Sequence, residues 1–142
     1  MQQKNPYTAY ERTQVNTADQ RQLIVMLYDG GIRFLQKASA LIEARDVEGA
    51  HGNLLRARQI VSELLSTLRP EKGGEIGENL KRLYVYMFNR LVEANLHKDR
   101  AMIKEVEGLL ATLREGWAGV KVQAAADPTK SAETLKRVNV RG

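Results

Sequence analysis

Four long stretches of this chain repeat apolar side chains every three to four residues, with short polar breaks between them. That spacing is the period of the α-helix, so each stretch reads as a helix with one apolar face. The first opens at "NTADQ", with Thr17 as N-cap and Gln20 three residues on, as a capping box requires. Leu23, Ile24, Leu27, Tyr28, Gly31, Phe34, Leu35, Ala38, Leu41 and Ile42 share its arc. Asp46 caps the second, whose face carries Val47, Ala50, Leu54, Ala57, Val61, Leu64, Leu65 and Leu68, with Ile60 at the margin. "RPEKGG" ends it, because Pro70 disfavours helix at Arg69 and the glycine pair allows a turn. The third begins near Glu75, and its stripe runs through Ile76, Leu80, Leu83, Tyr84, Met87, Phe88, Leu91, Ala94 and Asn95. Asp99 caps the fourth, which aligns Met102, Ile103, Val106, Leu109, Leu110, Leu113, Trp117 and Val120.

Helices of about 22–28 residues are about 33–42 Å long. Links as short as these make sequential neighbours antiparallel. The predicted fold is all-α: an antiparallel up-down-up-down four-helix bundle over residues 17–125. Residues 1–16 form an N-terminal arm. Residues 126–142, poor in large apolar side chains, form a flexible tail or one short helix. A chain of 142 residues suits one domain with a self-sufficient core.

Composition removes several classes of function. There is no cysteine, hence no disulfide, thiolate metal site or thiol nucleophile. No apolar run approaches the roughly 18 residues of a membrane span, and "MQQKNPYTAYERTQ" lacks a signal-peptide core. A soluble cytoplasmic protein is expected. The net charge is +5, with the excess in residues 21–45 and in the tail from 121 onward. Elsewhere basic and acidic residues alternate, as on a solvated mixed-charge surface. A basic helical nucleic-acid adaptor resting on Arg21, Arg33, Lys37 and the tail is the alternative.

An enzyme is not indicated. His51 and His97 fall on different helices, and neither has a carboxylate partner in sequence. No Glu-x-x-His pair points inward, and there is no phosphate-binding glycine motif or nucleophile elbow. No catalytic residue, metal or cofactor is expected. Asn95 is the notable polar residue on a core arc, and a helix–helix hydrogen bond is its expected role.

More informative are apolar residues that the interior does not use. Val85, Val92 and Leu96 make a second stripe on the third helix at i, i+7 and i+11. Leu55 on the second helix and Val25 and Ile32 on the first also stand off their arcs. Such a set is either a docking groove for an amphipathic helix or part of a wide bundle interface covered by the arm or tail. The glycine pair Gly30–Gly31 is a further oddity, since a glycine costs a helix interior roughly 0.5–1 kcal/mol. Gly31 lies within the core arc and predicts close packing. Gly30 lies at its edge, where an arm or partner would approach the backbone. In the arm, Tyr7 and Tyr10 follow Pro6, and their aromatic area suits either a fixed cap or a removable cover.

Together, "YTAY", "TQVNTADQRQLIVMLYDGGIRFLQKA", "NLKRLYVYMFNRLVEANLHKD" and "LREGW" resemble the flagellin-specific export chaperones, the FliS family. The likeness covers nearly all of residues 7–117, and "LIVMLYDGGIRFL" is its most specific part. The resemblance implies a cytoplasmic helical bundle that binds the disordered C-terminal segment of one flagellin subunit. It would prevent premature polymerisation and deliver the subunit to the flagellar type III export apparatus without consuming nucleotide. Other flagellar regulatory or export proteins are implied as further partners. By position, Tyr7 and Tyr10 carry over as arm residues near the flagellin site. With Val15, Val25, Ile32, Leu55, Val85, Val92 and Leu96 they make up the candidate flagellin-binding set.

Overall fold

The computed structural model describes residues 17–119. These form four helices: α1 (Thr17–Glu43), α2 (Val47–Ser66), α3 (Pro70–His97) and α4 (Arg100–Gly119). Each helix packs on its sequence neighbours, and α4 closes the ring against α1. The diagonal pairs α1/α3 and α2/α4 do not pack backbone to backbone, so the cross-section is a square with the edges α1/α2, α2/α3, α3/α4 and α4/α1. This is the expected up-down-up-down bundle. Thr17 is already helical where the description begins, and Val120, the arm and the tail lie outside the described residues.

The turns show why the helices stop where they do. Arg45 (φ 64°) and Lys98 (φ 50°) both adopt the left-handed conformation that closes a helix C-terminus. Asp46 N then donates to Leu41 O and Asp99 N to Ala94 O, satisfying late carbonyls. Each of these aspartates caps the next helix. Asp46 Oδ1 accepts from Gly49 N at 2.9 Å, and Asp99 Oδ1 accepts from Ala101 N at 2.9 Å. Between α2 and α3 the device differs. Arg69 is extended before Pro70, and Gly74 (φ 53°, ψ −137°) kinks the chain, so the regular part of α3 starts at Glu75.

The interior is made from one arc of each helix, much as the periodicity indicates. Leu27, Tyr28, Leu35, Leu54, Val61, Leu64, Met87, Leu91, Ile103, Leu110 and Leu113 are fully enclosed. Tyr28 on α1 and Tyr84 on α3 reach across the diagonal, and their hydroxyls share a hydrogen bond of 2.6 Å. Burial, followed by the Tyr84 partner, pushes the Tyr28 hydroxyl well above the ordinary tyrosine pKa. Burial raises Tyr84 likewise. Both phenols therefore stay neutral. The buried Nε1 of Trp117 makes no hydrogen bond among the described residues.

Gly31 is where three helices converge. A β-carbon there would lie 3.0 Å from Leu110 Cδ1 on α4 and 3.3 Å from Ile60 Cγ2 on α2. Close packing, as the sequence suggested, is its role. Gly30 differs from expectation. It is buried, and among the described residues the only side chain near its missing β-carbon is Ile60, a core residue. Val47 is a second correction, being 59 % exposed although its wheel position is a core position. It opens α2 at the end of the bundle, where α3 has already turned away at His97–Lys98.

Asn95 is buried and satisfied. It meets His51 Nδ1 through Nδ2 at 3.0 Å, while its Oδ1 accepts from Lys98 Nζ at 2.9 Å. His51 is exposed, and its ring is the cross-helix partner.

Replacing Tyr28 or Tyr84 alone by Phe leaves one buried hydroxyl without a partner and should cost about 1–3 kcal/mol; replacing both should cost less than the sum. A double-mutant cycle in urea measures this. Gly30→Ala meets only Ile60 Cδ1 at 3.5 Å and should raise stability by about 0.5–1 kcal/mol. Gly31→Leu should lower it by at least about 1–3 kcal/mol. Thermal melts of the two variants give the comparison.

Candidate docking surface

The four edges of the bundle differ in what lies along their outer side. Polar ties line α1/α4: Arg114 Nε meets Asp29 at 2.7 Å, Gln36 Nε2 donates to Glu107 at 3.0 Å, and Arg100 reaches both Ser39 and Glu43. At α3/α4 the Glu105 carboxylate takes Arg90 Nε at 2.7 Å and the Tyr86 hydroxyl. Partial burial pushes the Glu105 pKa up, but the Tyr86 and Arg90 hydrogen bonds outweigh it, so the carboxyl titrates below its usual range. No ion pair among the described residues joins α2 to either neighbour.

Two contacts set the register of α2 against α3. His51 faces Asn95 toward one end, and the Arg58 guanidinium lies over the Phe88 ring at 5.1 Å nearer the middle. Leu55 falls between His51 and Arg58, and Val92 falls between Phe88 and Asn95, so the two stand level on antiparallel helices. Val85 continues the line beyond Phe88, and Leu96 extends it past Asn95. All four are exposed, Val92 by 40 % and Leu96 by 75 %. The second apolar stripe of the sequence is thus real, and it runs along the outside of the α2/α3 edge. Mixed aliphatic and half-buried aromatic side chains there would receive the apolar face of a helix.

Val25 and Ile32 sit elsewhere. Each is one turn before a residue of the α1/α4 seam, Asp29 and Gln36 respectively, so both line the edge opposite α2/α3. They are half-buried, and Ile32 packs against the core. The expected set therefore divides between two opposite edges. Tyr7, Tyr10 and Val15 lie outside the described residues. The sequence reading passed over two exposed side chains, Met26 on α1 and Tyr86 on α3. Met26 carried the same signal as Val25, an apolar residue off the arc. Tyr86 is legible only once its bond to Glu105 is seen.

Comparison with known proteins places this bundle in company. A family model described as "Flagellar protein FliS" matches residues 3–124. The flagellar secretion chaperone FliS of Bacillus subtilis (strain 168) is 40 % identical over 114 residues, 80 % of this chain and 84 % of that one. Its namesake in Salmonella typhimurium is 42 % identical over 112 residues, 78 % of this chain and 83 % of that one. The Campylobacter jejuni protein of the same name is 36 % identical over 120 residues, or 84 % and 94 % of the two chains.

Position predicts different penalties at the two edges. Val92→Asp places a carboxylate in water and should change stability by no more than about 0.5 kcal/mol. Ile32→Asp puts a charge against the core and should cost more than about 2 kcal/mol. Chemical denaturation of both variants, followed by circular dichroism, tests the assignment.

Proposed function

The chain belongs to the FliS family of flagellar secretion chaperones, and from that membership we propose that its client is the C-terminal segment of flagellin. The observation that carries this reading is the exposed line Leu55–Val85–Val92–Leu96 on one edge of the bundle. Val25 and Ile32 provide a second apolar strip on the opposite edge. A globular partner would not cover both. A segment without structure of its own does so by wrapping, folding into helix where it meets a groove. Apolar burial then offsets the entropy of ordering, and a long contact compensates for modest affinity per unit area.

The same contact explains chaperoning without catalysis. A wrapped segment is hidden from other flagellin subunits, so it does not polymerise early. It also remains unfolded enough to be handed to the export apparatus. Nothing is cleaved or transferred, and no cofactor is needed. The site of action is the cytoplasm, where flagellin awaits export. Tyr7, Tyr10 and Val15 belong to this reading as arm residues that border the client's path. Other export or regulatory proteins of the flagellum would meet the complex at the remaining faces. The nucleic-acid alternative gains no support from the described residues, where Arg21 is half-buried and only Arg33 and Lys37 are exposed; its tail lies outside them.

Isothermal titration with a flagellin C-terminal fragment should show one-to-one binding. Val92→Asp should weaken it at least about tenfold, or about 1.4 kcal/mol, while the helical spectrum is unchanged. Absence of heat and of co-elution in gel filtration would remove flagellin as the client.

A further inference from the structure

One cation interrupts the apolar line on the α2/α3 edge. Arg58 projects from α2 between Leu55 and the α3 stripe, with its guanidinium carbon 5.1 Å from the centre of the Phe88 ring. Its Nε is buried and has no hydrogen-bond partner among the described residues. Arg58 also makes no ion pair there, although Arg90, Arg100 and Arg114 all find carboxylates. Its Nη1 and Nη2 also make no hydrogen bond or ion pair among the described residues and, unlike Nε, are not enclosed, so two donors of the guanidinium remain open to an incoming acceptor. An acceptor bound there exchanges water for a charge-assisted hydrogen bond, which is stronger than one between neutral groups.

We infer that Arg58 is a specificity-determining residue of the docking edge: it selects a client helix that presents an aspartate or glutamate between two apolar anchors. A carboxylate matches the guanidinium in a bidentate pair, which neutral acceptors do not reproduce. The spacing follows from the edge itself. Leu55 and Val92 lie about one turn to one side of the Arg58–Phe88 contact, and Val85 lies about one turn to the other. The client therefore carries apolar residues three or four positions before and after its acidic residue. This inference rests on the proposed flagellin reading and deepens it, turning an apolar seat into one that reads charge and register.

The test uses the full chain and the flagellin C-terminal fragment in titration calorimetry. Arg58→Gln should weaken binding about tenfold, and Arg58→Lys should recover only part of the loss because lysine lacks the fork. Each Asp and Glu of the fragment is then changed singly to Asn or Gln. One of them should weaken binding by a similar factor, and combined with Arg58→Gln it should add little further loss. Charge reversal, Arg58→Glu with that acidic residue changed to Arg, should recover most of the affinity, which a purely structural role would not allow. If Arg58→Gln binds as wild type while Val92→Asp does not, the edge is the docking site and the role of Arg58 is refuted. Loss on Arg58→Gln with no coupled carboxylate anywhere in the fragment also refutes it. If the unaltered chain does not bind the fragment, the flagellin reading falls, and this inference falls with it.

Discussion

The hydrogen bond between Tyr28 and Tyr84 spans the bundle where no two backbones touch. Adjacent helices in a square bundle set their own separation by side-chain packing, but nothing sets the diagonal except what fills the middle. Two phenols end to end do this with a defined length. Each hydroxyl is the other's partner, so a polar pair sits in an apolar interior without an orphan. Gly31 acts with the opposite sign, subtracting a side chain so that Leu110 and Ile60 come close to α1. A large pair across one diagonal and a missing side chain at one seam together hold the four helices in an unequal, specific arrangement.

That arrangement leaves the edges unequally finished. Helix α4 carries the polar ties, receiving Asp29 and Gln36 from α1 and Tyr86 and Arg90 from α3. Helix α2 has almost none, and its flanks hold cations lying over rings, Arg56 over Phe34 and Arg58 over Phe88. A salt-bridged seam resists a newcomer, because entering it means breaking charge-assisted bonds. A seam of aliphatic side chains with a guanidinium over a ring resists little. The division of polar ties between α4 and α2 thus makes the α2/α3 edge the easier one to open, while at α1/α4 the apolar surface is confined to Val25 and Ile32 beside the ties.

Much of this was legible in the chain. Apolar period, Asp46 and Asp99 as caps, and Pro70 with the following glycines give the four helices and their order. Asn95 on a core arc announced a cross-helix hydrogen bond, but its partner His51 lies 44 residues away, and spacing does not reveal a contact of that kind. Val47 shows the limit of a helical wheel, which reports an angle and not whether a neighbour extends that far. Val25 and Val92 show another. Both stand off their arcs, yet one faces α4 and the other lines α2/α3. Which neighbour lies to the left of a helix depends on the sense in which the bundle turns, and that sense is a property of all four helices packed together. Arg58 reads in sequence as an ordinary surface charge, because only the register of α2 on α3 brings Phe88 beneath it.

The size of the exposed line bears on how a client must bind. Covering a large aliphatic side chain completely contributes on the order of 2 kcal/mol, so Leu55, Val85, Val92 and Leu96 together offer at most about 8 kcal/mol. Association alone costs about 4–15 kcal/mol, and a segment that must also become helical loses more. The α2/α3 edge by itself therefore supports only weak attachment of a short peptide. Useful affinity requires the same chain to continue to a second contact, after which each further patch is bound without a new association cost. The apolar strip at Val25 and Ile32 lies on the opposite edge of the square, where only a long and unstructured client reaches it from the first. On the proposed reading, an extended client would be held through many modest contacts. Such a client would also be released by stages, because no single contact would be strong enough to retain it.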